Sequence, residues 1–204
     1  MTNLISIYPN IPNNVTVKVK SSDIEKKYQS CPCCNKKEIK KLFIFGDSSI
    51  KNISLSICKR CNHLFYDNIL SQNKIKNYYK NEFSTSLVKK IRVNYKYYKL
   101  LKKFKKNYRN KNILDFGCGS GGMLNGLKLK GYMKLYGVEL SNDRRKVAKL
   151  IIKNTFSDIN KIKNVKFDII FVNHVLEHIV NIQNIIKILK SKINKDGIII
   201  INVP

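Results

Sequence analysis

Residues 113–124 read Ile-Leu-Asp-Phe-Gly-Cys-Gly-Ser-Gly-Gly-Met-Leu, and this stretch constrains the fold more than any other part of the chain. Ile113 to Phe116 make a short apolar strand that carries one acid, Asp115. Glycines follow at Gly117, Gly119, Gly121 and Gly122, and helix-forming residues then resume. Glycine lets the backbone take left-handed angles and approach a ligand without a Cβ clash. Exposed amides and the N-terminus of the following helix favour a carboxylate or phosphate. A strand, glycine turn and helix of this kind builds half of a nucleotide site in a doubly wound α/β sheet.

Gly117, Gly119 and Gly122 satisfy the dinucleotide pattern G-x-G-x-x-G, a weak signal by itself. The fuller pattern is D-x-G-x-G-x-G from Asp115, and it resembles motif I of the class I S-adenosylmethionine (SAM)-dependent methyltransferases. The resemblance continues downstream in order. Leu135-Tyr-Gly-Val-Glu139 is similar to the family's second strand, and Phe167-Asp-Ile-Ile-Phe-Val-Asn-His-Val-Leu-Glu-His178 to its fourth strand and following helix. Asp196-Gly197 and Ile198 to Pro204 are similar to its last turn and fifth strand. The resemblance implies an α/β, Rossmann-like doubly wound sheet with strand order 3-2-1-4-5.

It also implies roles for particular residues. Asp115 and the amides around Gly117 and Gly119 are expected to hold the methionine end of SAM. Glu139 is expected to accept hydrogen bonds from both ribose hydroxyls. Asp158, in Phe-Ser-Asp-Ile, is the candidate for the adenine amino group, with helix capping or solvation as the competing reading. Gly121 and Asn173 complete the expected cofactor set, with tight strand–helix packing as the alternative for Gly121 and Gly122. Cys118 reads as a small buried filler and not a nucleophile.

Cysteine spacing is the second strong signal. Cys31-Pro-Cys-Cys34 and Cys58-Lys-Arg-Cys61 are two C-x-x-C knuckles. Each points two thiolates at one ion, so Cys31, Cys34, Cys58 and Cys61 are expected to form a tetrahedral structural Zn²⁺ site. Cys33 is the odd member. Lys40 to Phe45 and Ile53 to Ile57 are expected to pair across a turn at Gly46-Asp47-Ser48. A disulfide or redox pair is the competing reading, disfavoured in an intracellular chain without a thioredoxin pattern. A closed Cys₄ site leaves no position for catalysis and serves to fold a module too small to fold alone. His63 reads as a ribbon residue and not a ligand.

After the second knuckle, Asn62 to Ser71, then Tyr78-Tyr79 and Phe83, resemble the linker between a zinc module and a methyltransferase domain. That arrangement occurs in sugar C-methyltransferases and related enzymes of surface-glycan biosynthesis. The expected organisation is a lead-in over 1–28, a zinc ribbon over 29–68, a linker and basic amphipathic helix over 69–110, and a SAM-binding domain over 111–204.

Ile91, Tyr95, Tyr98, Leu101, Phe104 and Tyr108 recur at three- and four-residue steps and predict a helix over 89–110 with an apolar stripe. Its other face is lysine-rich, and the formal net charge of the whole chain is +27. Both invite an RNA reading. Against it, Lys, Asn and Ile are inflated together, as an AT-rich coding sequence produces. Arg, the better residue for bidentate phosphate and base contacts, is scarce.

A sulfonium methyl is already activated, so the protein mainly aligns the nucleophile with it. A nearby base helps where the nucleophile carries a proton, and His suits neutral pH. The resemblance to sugar C-methyltransferases places His178 as that base, with His174 as second choice; the competing reading is that the Leu-Glu-His run braces a helix. Four residues apart, the two histidines are expected on one helical face.

The expected function is methyl transfer from SAM to a small metabolite, with a nucleotide-linked sugar as the leading acceptor class. RNA methylation and a zinc-ribbon interaction protein carrying an inactive remnant are the alternatives. No stretch approaches the length of a membrane span, and Met1 to Asn10 lacks a secretory pattern, so the expected location is cytoplasmic. The sequence ends at Asn202-Val-Pro204, where the families it resembles continue through two further strands. Three readings of this stay open: a fragment of a longer protein, a partner chain that supplies the rest, or a decaying remnant.

Overall fold

The computed structural model describes residues 24–45, 53–70, 92–104 and 106–203. The expected turn at Gly46-Asp47-Ser48, the linker residues Tyr78, Tyr79 and Phe83, and Ile91 lie outside these. The chain divides into two compact units, Met1–Ser71 and Gln72–Pro204.

In the first unit, β2 (Ile39–Phe45) pairs antiparallel with β3 (Ile53–Cys58), and β3 with β4 (Leu64–Tyr66). A second, two-stranded sheet joins β1 (Ile24–Lys27) to β5 (Asn68–Leu70). Asp67, buried between β4 and β5, ties the corner. Its N–H donates to Ser54 O at 2.9 Å, its carbonyl accepts from Tyr28 N–H, and its Oδ1 accepts from Ser54 N–H at 3.2 Å. Tyr28 meets Phe65 edge-on, and the two rings pack against Cys31 and Cys58.

The second unit is a five-stranded parallel sheet: β6 (Ile113–Phe116), β7 (Leu135–Val138), β8 (Thr155–Phe156), β9 (Phe167–Asn173) and β10 (Ile193–Asn202). Its spatial order is β10-β9-β6-β7-β8. Numbered as five successive strands this is 3-2-1-4-5 read from the other edge, the expected Rossmann-like topology. Alternation along each strand feeds two cores, because successive side chains leave opposite faces. Ile113, Ile169 and Phe171 join one core with Leu124, Leu127, Ala148 and Ile151. Leu114, Ile170 and Val172 join the other with Ile159, Ile162, Phe167 and Leu189. The helices are α1 (Lys96–Leu101), α2 (Gly122–Lys128), α3 (Asn142–Ile151) and α4 (Ile182–Lys192). The first three cover the former face and α4 the latter.

Three local expectations are corrected. The helix expected over 89–110 forms only over Lys96–Leu101 among the described residues, and tightens where Lys103 N–H and Phe104 N–H bond to Leu100 O and Leu101 O. Lys99, Lys102, Lys103 and Lys106 stand three or four apart, and like charges at that spacing oppose a longer helix. Tyr97 and Leu101 are its buried pair, while Tyr95 and Phe104 of the expected stripe are exposed. The fifth strand begins at Ile193, and Asp196-Gly197 is an irregularity inside it. Ile193 pairs with Phe167 and Ile198 with Ile169, so three extra residues bulge outward. A Cβ on Gly197 would lie 2.9 Å from Phe167 O, which is why glycine stands there. Finally, the segment after β9 is a single 3₁₀ turn, Leu176–His178, so His174 and His178 share no helical face.

Candidate functional site

The glycine turn lies where the strand order reverses, between β6 and its neighbours β7 and β9, the place where open α/β sheets bind ligands. Gly117, Gly119 and Gly121 all take positive φ, at 85°, 55° and 81°. Their amides are committed within the turn. Gly117 and Cys118 N–H both donate to Val138 O, and Gly121 N–H donates to Cys118 O. Gly119 N–H donates to Glu139 Oε2 at 2.8 Å. The amides of Gly117, Cys118 and Gly119 therefore brace the turn against β7 and Glu139.

Gly117 and Gly121 each have a steric reason to lack a side chain. A Cβ on Gly117 would collide with Val175 at 2.2 Å, and one on Gly121 would press on Ala148 and Ile151 at 3.3 Å. Gly121 is thus the left-handed N-cap of α2 packed on α3, the packing alternative for that position. A Cβ on Gly119 would meet nothing within 4 Å, so open space adjoins that glycine. Cys118 is buried with its Sγ against Gly137, and burial pushes its thiol well above the usual range, which suits a filler.

Glu139 follows β7. Besides Gly119 N–H, it accepts from Ser141 N–H at 2.7 Å on Oε1. Arg145 clamps the same bend from α3, donating to the carbonyls of Glu139 at 2.7 Å and Leu140 at 3.0 Å. Each carboxylate oxygen holds one amide and keeps a second acceptor position. The group is fixed in orientation yet able to accept two further hydroxyl donors.

Asp115 is buried at 3% exposure, and its Oδ1 accepts from Tyr97 Oη at 3.0 Å. Burial pushes its carboxyl up to about 7; the Tyr97 hydrogen bond pulls it down and the Glu139 charge pushes it up. Tyr97 stacks on Phe171 with centroids 3.7 Å apart and planes within 6°. Its own hydroxyl is pushed far up, first by burial and then by the Asp115 charge. Tyr97 was not anticipated, although Tyr97 and Leu101 are as valid a four-residue apolar step as the stripe chosen. Asp158 caps the 3₁₀ turn Ile159–Lys161 through Asn160 N–H at 2.7 Å, the competing reading for that residue.

The C-terminal ends of β9 and β10 gather the histidines. Asn173 Oδ1 accepts from Asn202 Nδ2 at 3.0 Å and from Lys96 Nζ at 3.3 Å. Asn202 Nδ2 also lies 3.1 Å from His174 Nε2, and His174 N–H donates to Asn202 O at 2.8 Å. This holds His174 at φ 51°, an uncommon conformation for a non-glycine residue. Glu177 Oε1 lies 3.5 Å from His174 Nδ1 and 3.9 Å from His178 Nε2, so one carboxylate serves both rings. Lys96 and Asn202 carried no motif that marked them in advance.

In the first unit the four expected cysteines converge, all sulfurs lying within 4.8 Å of one another. Cys31 to Cys61 is 3.7 Å and Cys34 to Cys58 is 3.6 Å. A tetrahedron with metal–sulfur bonds of about 2.3 Å has edges of about 3.8 Å, whereas a disulfide is about 2.05 Å. The knuckles repeat one geometry. Cys33 N–H and Arg60 N–H each point at the sulfur two residues back, at 3.4 Å. Asn35 and Asn62 each take positive φ and bond back to Cys31 O and Cys58 O at 2.9 Å.

The family described as "Methyltransferase domain" matches residues 90–204, more than half of the chain. The chain belongs to this methyltransferase-domain family. No curated protein sequence matches it significantly. Similar solved structures include YjhP from E. coli, at 19% identity and TM-score 0.46, covering 63% of this chain and 55% of that one. A SAM-dependent methyltransferase from Thiobacillus denitrificans, in complex with S-adenosyl-L-homocysteine, matches at 17% identity and TM-score 0.45, covering 65% and 55%. Magnesium protoporphyrin IX methyltransferase from Synechocystis PCC 6803, with bound SAM, matches at 25% identity and TM-score 0.37, covering 43% and 47%. The chain spans about half the length of these structures.

Proposed function

We propose that this chain takes part in SAM-dependent methyl transfer to a small metabolite, with a nucleotide-linked sugar as the acceptor. The observation that carries the reading is Glu139, held at the end of β7 by two amides beside the open side of Gly119. An oriented carboxylate with two spare acceptor positions suits a ribose diol. SAM, when bound, supplies a sulfonium methyl that is already activated.

The protein's own residues then have separate tasks. Glu139 holds the ribose, and Asp115 with the turn around Gly117 and Gly119 holds the methionine end. His178 takes the proton from the acceptor, with His174 as the second candidate. Glu177 stabilises whichever imidazole becomes charged, since its Oε1 faces both. Asn173, engaged by Lys96 and Asn202, fixes the end of β9 between cofactor and acceptor. In the first unit, Cys31, Cys34, Cys58 and Cys61 hold a structural Zn²⁺, a reading supported by tetrahedral sulfur spacing. Among the described residues no helix is long and apolar enough to cross a membrane.

RNA methylation is the second reading, favoured by the lysines exposed along α1 and beyond. The neighbouring tyrosines weaken it. Lys130 Nζ sits 5.3 Å from the Tyr95 ring centroid and 5.4 Å from that of Tyr98, so both rings already carry a cation.

Calorimetric titration with S-adenosylhomocysteine tests the proposal. We expect micromolar affinity, reduced at least tenfold in Glu139→Ala. A folded chain that binds no S-adenosylhomocysteine, or a variant with unchanged affinity, would overturn it. With a competent acceptor, His178→Ala should lower kcat by about 10²–10⁴-fold. An unchanged kcat moves the base role to His174.

A further inference from the structure

With Tyr97 and Leu101 buried, α1 presents a different face outward. Lys96, Lys99 and Leu100 fall at i, i+3 and i+4 on α1, the spacing that aligns one helix face, and Lys103 follows in the turn just past its end. With Val93 and Tyr95 they line an open groove of about 560 Å³. The three lysines are exposed, and no acidic side chain lines the groove among the described residues. Lys99 and Lys103 have no ion-pair partner there. Lys130 adds a further cation over the Tyr95 ring. Three ammonium groups on one wall raise the local concentration of an anion, while Val93, Tyr95 and Leu100 leave apolar surface beside them.

The groove is also connected to the site. Lys96 lines it and donates to Asn173 Oδ1 at 3.3 Å, at the end of β9 beside His174. Lys96 thus joins the groove to Asn173, the residue before His174. The helical part of this face, Lys96 to Leu101, runs only about 8 Å at 1.5 Å per residue. That length suits a compact anion on a small molecule better than a polymer backbone.

We propose that this groove is the phosphate subsite of the acceptor. Lys96, Lys99 and Lys103 take the diphosphate of a nucleoside-diphosphate-linked substrate, and Val93, Tyr95 and Leu100 supply the wall against which its organic part lies. This rests on the methyl-transfer reading and deepens it, by assigning residues to the acceptor's charged portion. Lys99 and Lys103 touch neither the glycine turn nor Glu139, so the subsite separates from the cofactor site by mutation.

The test is titration of the full chain with uridine 5′-diphosphate and, separately, with S-adenosylhomocysteine. Wild type is compared with Lys99→Glu/Lys103→Glu and with the milder Lys99→Gln/Lys103→Gln. We expect uridine diphosphate binding to weaken at least tenfold in the first variant and less in the second, with S-adenosylhomocysteine affinity unchanged. Binding of uridine diphosphate that neither variant alters overturns the proposal. So does a chain that binds S-adenosylhomocysteine but no uridine diphosphate. So does a poly(U) oligomer that binds far more tightly than the diphosphate and is lost in the same variants. Lysine-dependent diphosphate binding without S-adenosylhomocysteine binding supports the groove and removes the cofactor reading. A folded chain that binds neither removes both.

Discussion

The two units of this chain are ordered by different physics. In the first, the buried core named by the described residues is Cys31, Cys58 and Phe65, with Tyr28, Cys34 and Ile39 packed against it. In the second, Leu124, Leu127, Ile113 and Phe171 pack on one face of the sheet, and Leu114, Phe167, Ile170 and Leu189 on the other, all essentially inaccessible. Each such side chain contributes about 1.5–3 kcal/mol by burial. Among the described residues the first cluster is small, and the backbone of both knuckles turns around a sulfur. Among the described residues, the first unit gathers four sulfurs where the second gathers apolar area.

The comparison breaks most easily at the cysteines. Metal analysis should find about one zinc per chain, lost in Cys31→Ser/Cys34→Ser. Structural zinc contributes about 10–16 kcal/mol to comparable modules, so its removal should unfold this one completely. Amide hydrogen exchange reads the result: protection of β2, β3 and β4 should vanish in the variant or in chelator, while β6 and β9 remain protected. Retained protection in β2 to β4 without metal means that the small cluster suffices and the contrast is false.

For the sheet unit the corresponding strike is Phe171→Ala. Phe171 is 1% exposed and lies under Tyr97, so the truncation leaves a cavity in the larger core. Denaturant unfolding should show a loss of about 3–5 kcal/mol, with the zinc content unchanged. A loss below about 1 kcal/mol would mean that the stack on Tyr97 is not part of what holds this sheet.

What the sequence disclosed follows the same division. Features imposed by covalent or backbone chemistry were legible, namely the C-x-x-C pairs that bring four sulfurs together and the glycine turn after β6, while the strand order 3-2-1-4-5 came from the family resemblance. Features decided by tertiary competition were not. Period alone ranks Tyr95, Tyr98 and Phe104 equal to Tyr97, and only the presence of Asp115 and Phe171 selects Tyr97 for burial. That Val138 O and the Glu139 carboxylate take amides of the glycine turn was not legible either. The strand beginning at Ile193 was hidden because Asp196-Gly197 signals a turn equally well inside a bulge.

Asp115 and Tyr97 sharpen the comparison through pH. Burial holds the Asp115 carboxyl at about 7 in the folded chain, against an ordinary value of 3.8. Between those values the folded state binds the proton more tightly than the unfolded state, so stability falls as pH rises from about 4 to about 7. Asp115→Asn keeps an acceptor for Tyr97 and removes this slope. Its Tm relative to wild type should therefore climb across that window, by several degrees at pH 7.5. A difference that stays flat with pH means that the carboxyl does not titrate there.

Tyr97→Phe is the smallest of these effects. It keeps the stack on Phe171 and deletes only the donor to Asp115, at a cost of about 0.5–1.5 kcal/mol where Asp115 is neutral. Above pH 7 the bond serves a charged acceptor and the cost should grow to about 1.5–3 kcal/mol. In the Asp115→Asn background that growth should disappear, leaving a pH-independent remainder, and the double-mutant cycle measures the coupling directly. Equal costs at pH 5 and pH 8 would mean that Tyr97 holds α1 through ring packing alone. The order of the sheet unit would then come from area without the buried polar pair.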